Sequence, residues 1–276
     1  MIKTYRFSVH KFTDTNNLTF SSIEYSKFKH GSKKYSRKLG MELACEFMKS
    51  VEYLTFRNYS VGIKLVVCSA PWKNIPVAST ALKDYFINKF VSVWINENYQ
   101  VVDLKVHRDH SYNIDYGTMT EVQRENAISS DDFYIDNKFI QGKVLFFIDD
   151  IFITGAHERR IISLLNTVGF DGKVLFLYYA EYQGKGKPSI ENEINYAFMK
   201  SLSDMDYIIK NEDLIFNTRL VKFILNSEKC EFIKFILNQD HLFCSLLKQY
   251  IESNEYQKID EFKVNYNQLK LLLETH

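Results

Sequence analysis

Asp149 and Asp150 stand side by side, and the short stretch after them holds Thr154, Gly155, Ala156 and His157. Two adjacent carboxylates can accept hydrogen bonds from sugar hydroxyls or from the waters of a hard divalent cation. A hydroxyl and a glycine at the mouth of a helix can cradle a phosphate. The first-turn N–H groups have no intrahelical partners there, and the helix dipole favours an anion. A ribose 5-phosphate needs both features at once.

The surrounding elements must position these groups. Val144 to Ile148 is apolar at every position, which predicts a strand buried on both faces of a parallel sheet. Asp149 and Asp150 then fall at its carboxyl end, the edge at which open α/β sheets bind ligands. Glu158 to Val168 carries Ile161, Leu164, Leu165 and Val168 at helical spacing, with Gly169 as a stop signal. Val61 to Cys68, Val101 to Val106 and Val174 to Tyr179 are predicted as further strands. Ser79 to Trp94 is predicted as a helix. The words Gly142-Lys143-Val144-Leu145-Phe146 and Gly172-Lys173-Val174-Leu175-Phe176 open two of the strands and bracket one βαβ unit. These alternations predict an α/β, doubly wound, mainly parallel sheet over residues 61–180.

Residues 1–60 read as an N-terminal extension and a candidate hood. They hold a strand at Tyr5 to Val9, a polar stretch from Lys27 to Lys38, and a helix from Met41 to Phe56. Residues 181–276 begin with a Gly- and Lys-containing linker, Gln183 to Pro188. Met205 to Ile209 could add a last strand, and the chain beyond reads as a helical appendage. Its words Val221-Lys222-Phe223-Ile224-Leu225-Asn226 and Ile233-Lys234-Phe235-Ile236-Leu237-Asn238 repeat once, too few for a solenoid.

Asp149-Asp150-Ile151-Phe152-Ile153-Thr154-Gly155 resembles the ribose-phosphate signature of the type I phosphoribosyltransferases. The resemblance spans Val61 to about Tyr179. It implies magnesium-dependent transfer of 5-phosphoribosyl from phosphoribosyl pyrophosphate to a small-molecule, nucleobase-like acceptor, with release of pyrophosphate. Asp149 and Asp150 would meet the ribose hydroxyls and, through water, Mg2+. Thr154, Gly155, Ala156 and His157 would bind the 5-phosphate. Ser69 and Lys73, after the first core strand, would contact pyrophosphate. Arg108 would join them as a catalytic contact from a lid at His107 to Arg124, with Asp115, Tyr116 and Arg124 as alternatives. Ser111-Tyr112 is similar to the Ser-Tyr pair of the purine-salvage branch. The family often dimerises, so a homodimer is among the expected partners.

Two positions depart from the family pattern. Ile153 stands where several members place Asp or Thr, and His157 stands where a hydroxyl residue usually completes the phosphate loop. The histidine is either a donor in place of that hydroxyl or a solvent-facing residue at a helix end. Ile153 in place of an acidic or hydroxyl residue sustains a second reading, a non-catalytic module that binds phosphoribosyl pyrophosphate or nucleotides and regulates other processes. A receiver-like or phosphatase-like domain would also have acidic strand ends, but it leaves Thr154-Gly155 unexplained.

Composition sets the outer bounds. A net charge of +1 gives no broad field to recruit nucleic acid or a membrane surface. No apolar run is long enough to span a bilayer, and the N-terminus lacks the apolar core of a signal peptide. Cys45, Cys68, Cys230 and Cys244 form no close pair, which points to reduced thiols and a cytoplasmic setting.

Overall fold

A computed structural model describes residues 2–59, 64–94, 100–108, 133–184 and 189–275. The chain opens with β1 (Lys3–Phe12), then α1 (Ser22–Lys29), α2 (Lys33–Lys49) and α3 (Val51–Tyr59). It continues through β2 (Leu65–Ser69), α4 (Ala78–Trp94), β3 (Val101–Asp103) and the short strands β4 (His107–Arg108) and β5 (Phe133–Tyr134). Next come α5 (Asn137–Ile140), β6 (Val144–Phe152), α6 (Ala156–Thr167) and β7 (Lys173–Tyr182). The C-terminal region holds α7 (Ile190–Asn195), α8 (Leu202–Asn211), α9 (Thr218–Leu225), α10 (Lys229–Leu237), α11 (His241–Ser253) and α12 (Asp260–Thr275).

Five strands pair in the order β1-β7-β6-β2-β3, and every pairing in that sheet is parallel. β4 and β5 pair antiparallel, with Arg108 opposite Phe133. The continuous apolar runs follow from burial on both faces. Leu65, Val67, Phe146 and Ile148 face one core with α2 and α4, while Val66, Cys68, Leu145 and Phe147 face another with Ile161 and Leu165 of α6. β2 and β6 are neighbours, yet the chain leaves them in opposite directions: β2 leads through α4 to β3, and β6 leads through α6 to β7. The two crossovers diverge at that point, which opens a crevice beyond the carboxyl ends of β2 and β6.

The N-terminal residues contribute to this sheet. β1 pairs with β7 from Lys3↔Lys173 to Phe12↔Tyr182 as an edge strand. The expected helix from Met41 to Phe56 is two helices, broken at Ser50, whose hydroxyl accepts from the Tyr53 N–H at 3.1 Å. In the polar stretch from Lys27 to Lys38, Lys27 and Lys29 are buried, while Lys33, Lys34, Arg37 and Lys38 are exposed.

The C-terminal helices enclose a core of their own, with Met205, Ile208, Leu220, Ile224, Phe232 and Leu247 inside it. The strand expected at Met205 to Ile209 is instead the middle of α8. Ser201 and Asp204 form a capping box at its start, and Leu202, Met205 and Ile208 line its buried face at spacings of three. The repeated words are α9 and α10, which end on Asn226 and Asn238 as C-caps.

Candidate functional site

The crevice between β2 and β6 holds a cavity of about 230 Å³. Asp149 and Asp150 lie near the carboxyl end of β6, which runs on to Phe152. Successive strand residues point to opposite faces of a sheet, so the two carboxylates part company. Asp150 turns toward α1, where it is buried and accepts hydrogen bonds from the Tyr25 hydroxyl and the Lys29 ammonium. Asp149 turns toward α6, where its Oδ2 lies 3.3 Å from Nδ1 of His157. Its Oδ1 accepts from the backbone N–H of Asp150 at 2.9 Å. Both residues line the cavity.

These surroundings separate the two acids electrostatically. Burial alone would raise Asp150, but the charge of Lys29 and the hydrogen bonds it receives overcome that and hold it down at about 2. Burial raises Asp149 above its ordinary value, and His157 offsets part of the rise. One carboxylate is therefore locked in its ionised form, while the other is poised closer to protonation.

The loop after β6 turns at Gly155, which has φ of 74° and serves as the N-cap of α6. A Cβ there would lie 2.9 Å from the Phe152 ring, so glycine is required on two counts. The Thr154 hydroxyl accepts from the Ala156 N–H at 3.4 Å, and the Thr154 carbonyl accepts from Arg159 at 2.8 Å. Thr154, Gly155, Ala156 and His157 all line the cavity. Glu158, next in the helix, is held by a two-pronged contact from Arg6 of β1 at 3.0 and 2.8 Å and by the Tyr178 hydroxyl at 3.2 Å. Arg6 also stacks on Phe152 at 3.9 Å, so the edge strand braces the phosphate-type loop from behind.

The loop after β2 supplies the opposite rim through Ala70, Pro71, Trp72 and Lys73. Lys73 pairs with Glu255 of the C-terminal region at 2.9 Å. Ser69 does not face the cavity, contrary to the expectation from sequence. It shares the inward register of Leu65 and Val67, and its Oγ lies 3.1 Å from the Thr80 hydroxyl of α4. Arg108, on β4, lines the cavity as well. Ser111, Tyr112, Asp115, Tyr116 and Arg124 lie outside the described residues.

The structure thus brings Lys73, Arg108, Asp149, Asp150 and Thr154 to His157 around one space. Sequence reasoning missed Tyr25 and Lys29 beneath Asp150, and Arg219 and Lys222 on the far wall. Two lysines two residues apart, in a stretch that also carries Tyr25 and Phe28, were the available signal that α1 buries charge.

A family profile described as PRTase ComF-like matches residues 3–269. The chain belongs to that family. As a PRTase ComF-like protein it has a type I phosphoribosyltransferase fold, and the profile takes in β1 and nearly all the C-terminal helices as well as the central sheet. No curated protein matches the chain. Among solved structures, a hypoxanthine phosphoribosyltransferase from Staphylococcus aureus is 13% identical, with a TM-score of 0.35 over 54% of this chain and 75% of that one. Hypoxanthine phosphoribosyltransferase from Trypanosoma cruzi, in a complex with the product IMP, is 11% identical, with a TM-score of 0.36 over 56% and 77% of the two chains. Among the described residues, no helix is long and apolar enough to cross a membrane.

Proposed function

We propose that this chain transfers 5-phosphoribosyl from phosphoribosyl pyrophosphate to a small acceptor and releases pyrophosphate. The observation that carries the reading is the convergence, at one sheet-edge crevice, of Asp149, the Thr154–His157 loop and the cations Lys73 and Arg108. The 5-phosphate sits against the Thr154–His157 turn, where the dipole of α6 and the close backbone approach at Gly155 favour an anion. Lys73 and Arg108 hold pyrophosphate on the opposite rim. The bond from the anomeric carbon to pyrophosphate breaks with its electron pair leaving on oxygen, and the acceptor's lone pair forms the new bond. The ribosyl centre passes through an oxocarbenium-like state. Ionised Asp149 stabilises that positive charge from nearby, and His157 favours the ionised form.

The donor set also bears on magnesium. Among the described residues no three His, Cys, Asp or Glu side chains converge on a metal cage. Magnesium commonly needs only one or two carboxylates beside its waters and phosphate oxygens. Asp149 fits that need, whereas Oδ2 of Asp150 is already neutralised by Lys29. When bound, magnesium would neutralise the departing pyrophosphate. The four free cysteines support a reducing, cytoplasmic setting.

The engagement of Asp150 by Lys29 and Tyr25 favours a second reading, a module that binds phosphoribosyl pyrophosphate without turnover. Pyrophosphate release across a panel of nucleobases separates the two. Release that is lost in Asp149→Asn supports transfer. A saturable thermal shift with phosphoribosyl pyrophosphate and no release with any acceptor overturns transfer in favour of sensing.

A further inference from the structure

The sheet-edge loops account for one side of the cavity, and the C-terminal helices build the other. α9 turns two faces in two directions. Leu220, Val221, Ile224 and Leu225 are buried in the C-terminal core. Arg219, Lys222, Phe223 and Asn226 follow one another at i, i+3, i+4 and i+7, and all four line the cavity. A polar helix face usually meets open solvent, but this one lines the cavity, with Arg219, Lys222 and Phe223 half-buried and Asn226 exposed.

Aromatic rings stand beside the two cations. Tyr196 and Phe223 have ring centroids 6.1 Å apart and planes tilted by 36°. The Arg219 guanidinium lies 6.0 Å from the Tyr196 ring, and the Lys222 ammonium lies 5.7 Å from the ring of Tyr256. Among the described lining residues contributed by the C-terminal helices, Arg219 and Lys222 are the cations and Glu191 is the carboxylate. Flat rings offer stacking surface to a planar molecule. A guanidinium fork suits a carboxylate or phosphate group better than a neutral edge.

We infer that the acceptor is a planar heterocycle bearing a negatively charged substituent, seated against Tyr196 and Phe223 with its anionic group toward Arg219 and Lys222. The inference rests on the phosphoribosyl reading of the sheet-edge loops. In the transfer, the ring nitrogen's lone pair forms the bond to the anomeric carbon, pyrophosphate departs with the electron pair of the broken C–O bond, and any proton on that nitrogen passes to water. The acidic substituent takes no part in bond exchange; it orients the ring.

Product nucleotides test the site without turnover, because no pyrophosphate is present. Calorimetry on the full chain compares two matched pairs: uridine 5′-monophosphate with its 6-carboxy analogue, and nicotinamide ribotide with nicotinate ribotide. The carboxylated member of at least one pair should bind about tenfold tighter, as expected for a charge-assisted contact. That preference should vanish in Arg219→Gln and Lys222→Gln, while both variants keep wild-type affinity for phosphoribosyl pyrophosphate. No preference in the wild type overturns the inference. So does an equal loss of phosphoribosyl pyrophosphate binding in the variants, which would assign these cations to pyrophosphate. A wild type that fails to bind phosphoribosyl pyrophosphate at all overturns instead the reading on which the inference stands.

Discussion

Lys29, at the end of α1, donates to Oδ2 of Asp150, near the end of β6, and both side chains are buried. The pair ties the N-terminal helices to the carboxyl edge of the sheet. Removing one partner of a buried pair strands the other charge and typically costs about 3–5 kcal/mol. Lys29→Met should therefore lower stability by roughly that much. The double variant Lys29→Met with Asp150→Asn should recover a large part of the loss, since neither charge remains. Urea denaturation of the two single variants and the double completes the cycle. Additive losses would show that the pair is not coupled.

The same pair sets an acid limit. Asp150 is depressed in the folded chain relative to an unfolded carboxyl, whose ordinary value is about 3.9. A depressed folded value means that its contribution is complete above the unfolded value and is lost as pH falls toward the folded one. Stability contributed by Asp150 should thus drain away from about pH 4 down to about pH 2. Urea midpoints measured across that range should fall more steeply for the wild type than for the uncharged double variant. Parallel curves would contradict the assignment.

His157 acts on Asp149 in the opposite sense to burial. Burial raises Asp149, and the imidazole at 3.3 Å lowers it. His157→Ala should leave burial unopposed and push Asp149 higher still. The acidic limb of the pH dependence of phosphoribosyl pyrophosphate binding should then move to higher pH. A limb that stays in place would mean that His157 does not tune this carboxylate.

Gly155 combines a left-handed backbone with a close approach to Phe152. Gly155→Ala should cost about 1–2 kcal/mol from strain at positive φ. It should also weaken phosphate binding, by displacing the Thr154–His157 turn. Thermal melts with and without inorganic phosphate read both effects. A variant with wild-type melting and an unchanged phosphate-induced shift would contradict the turn's role.

Much of this architecture was legible in the residues. Runs such as Val144 to Ile148 and Val174 to Tyr179 announce doubly covered strands because no polar face interrupts them. Asp149, Asp150, Thr154 and Gly155 announce a sheet-edge site because their order follows the strand, turn and helix. Other features depend on contacts distant in sequence. Lys29 looks solvated until Asp150 is placed beside it, and Arg6 looks like an edge residue until Glu158 is seen to receive it. The Ser69 hydroxyl turns toward Thr80 because strand register, not loop position, decides which way it points. The strand expected at Met205 to Ile209 lost to the capping box of Ser201 and Asp204, which starts a helix immediately before its periodic face. Arg219 and Lys222 sit on a helix whose packing partner, not its sequence, turns them toward the cavity.

The most direct test of the central claim is calorimetry of phosphoribosyl pyrophosphate with magnesium on the wild type and Asp149→Asn. The account predicts saturable one-to-one binding by the wild type and affinity at least about tenfold weaker in the variant, as expected for loss of a charged contact. No binding by the wild type, or equal affinity in the two proteins, would contradict it.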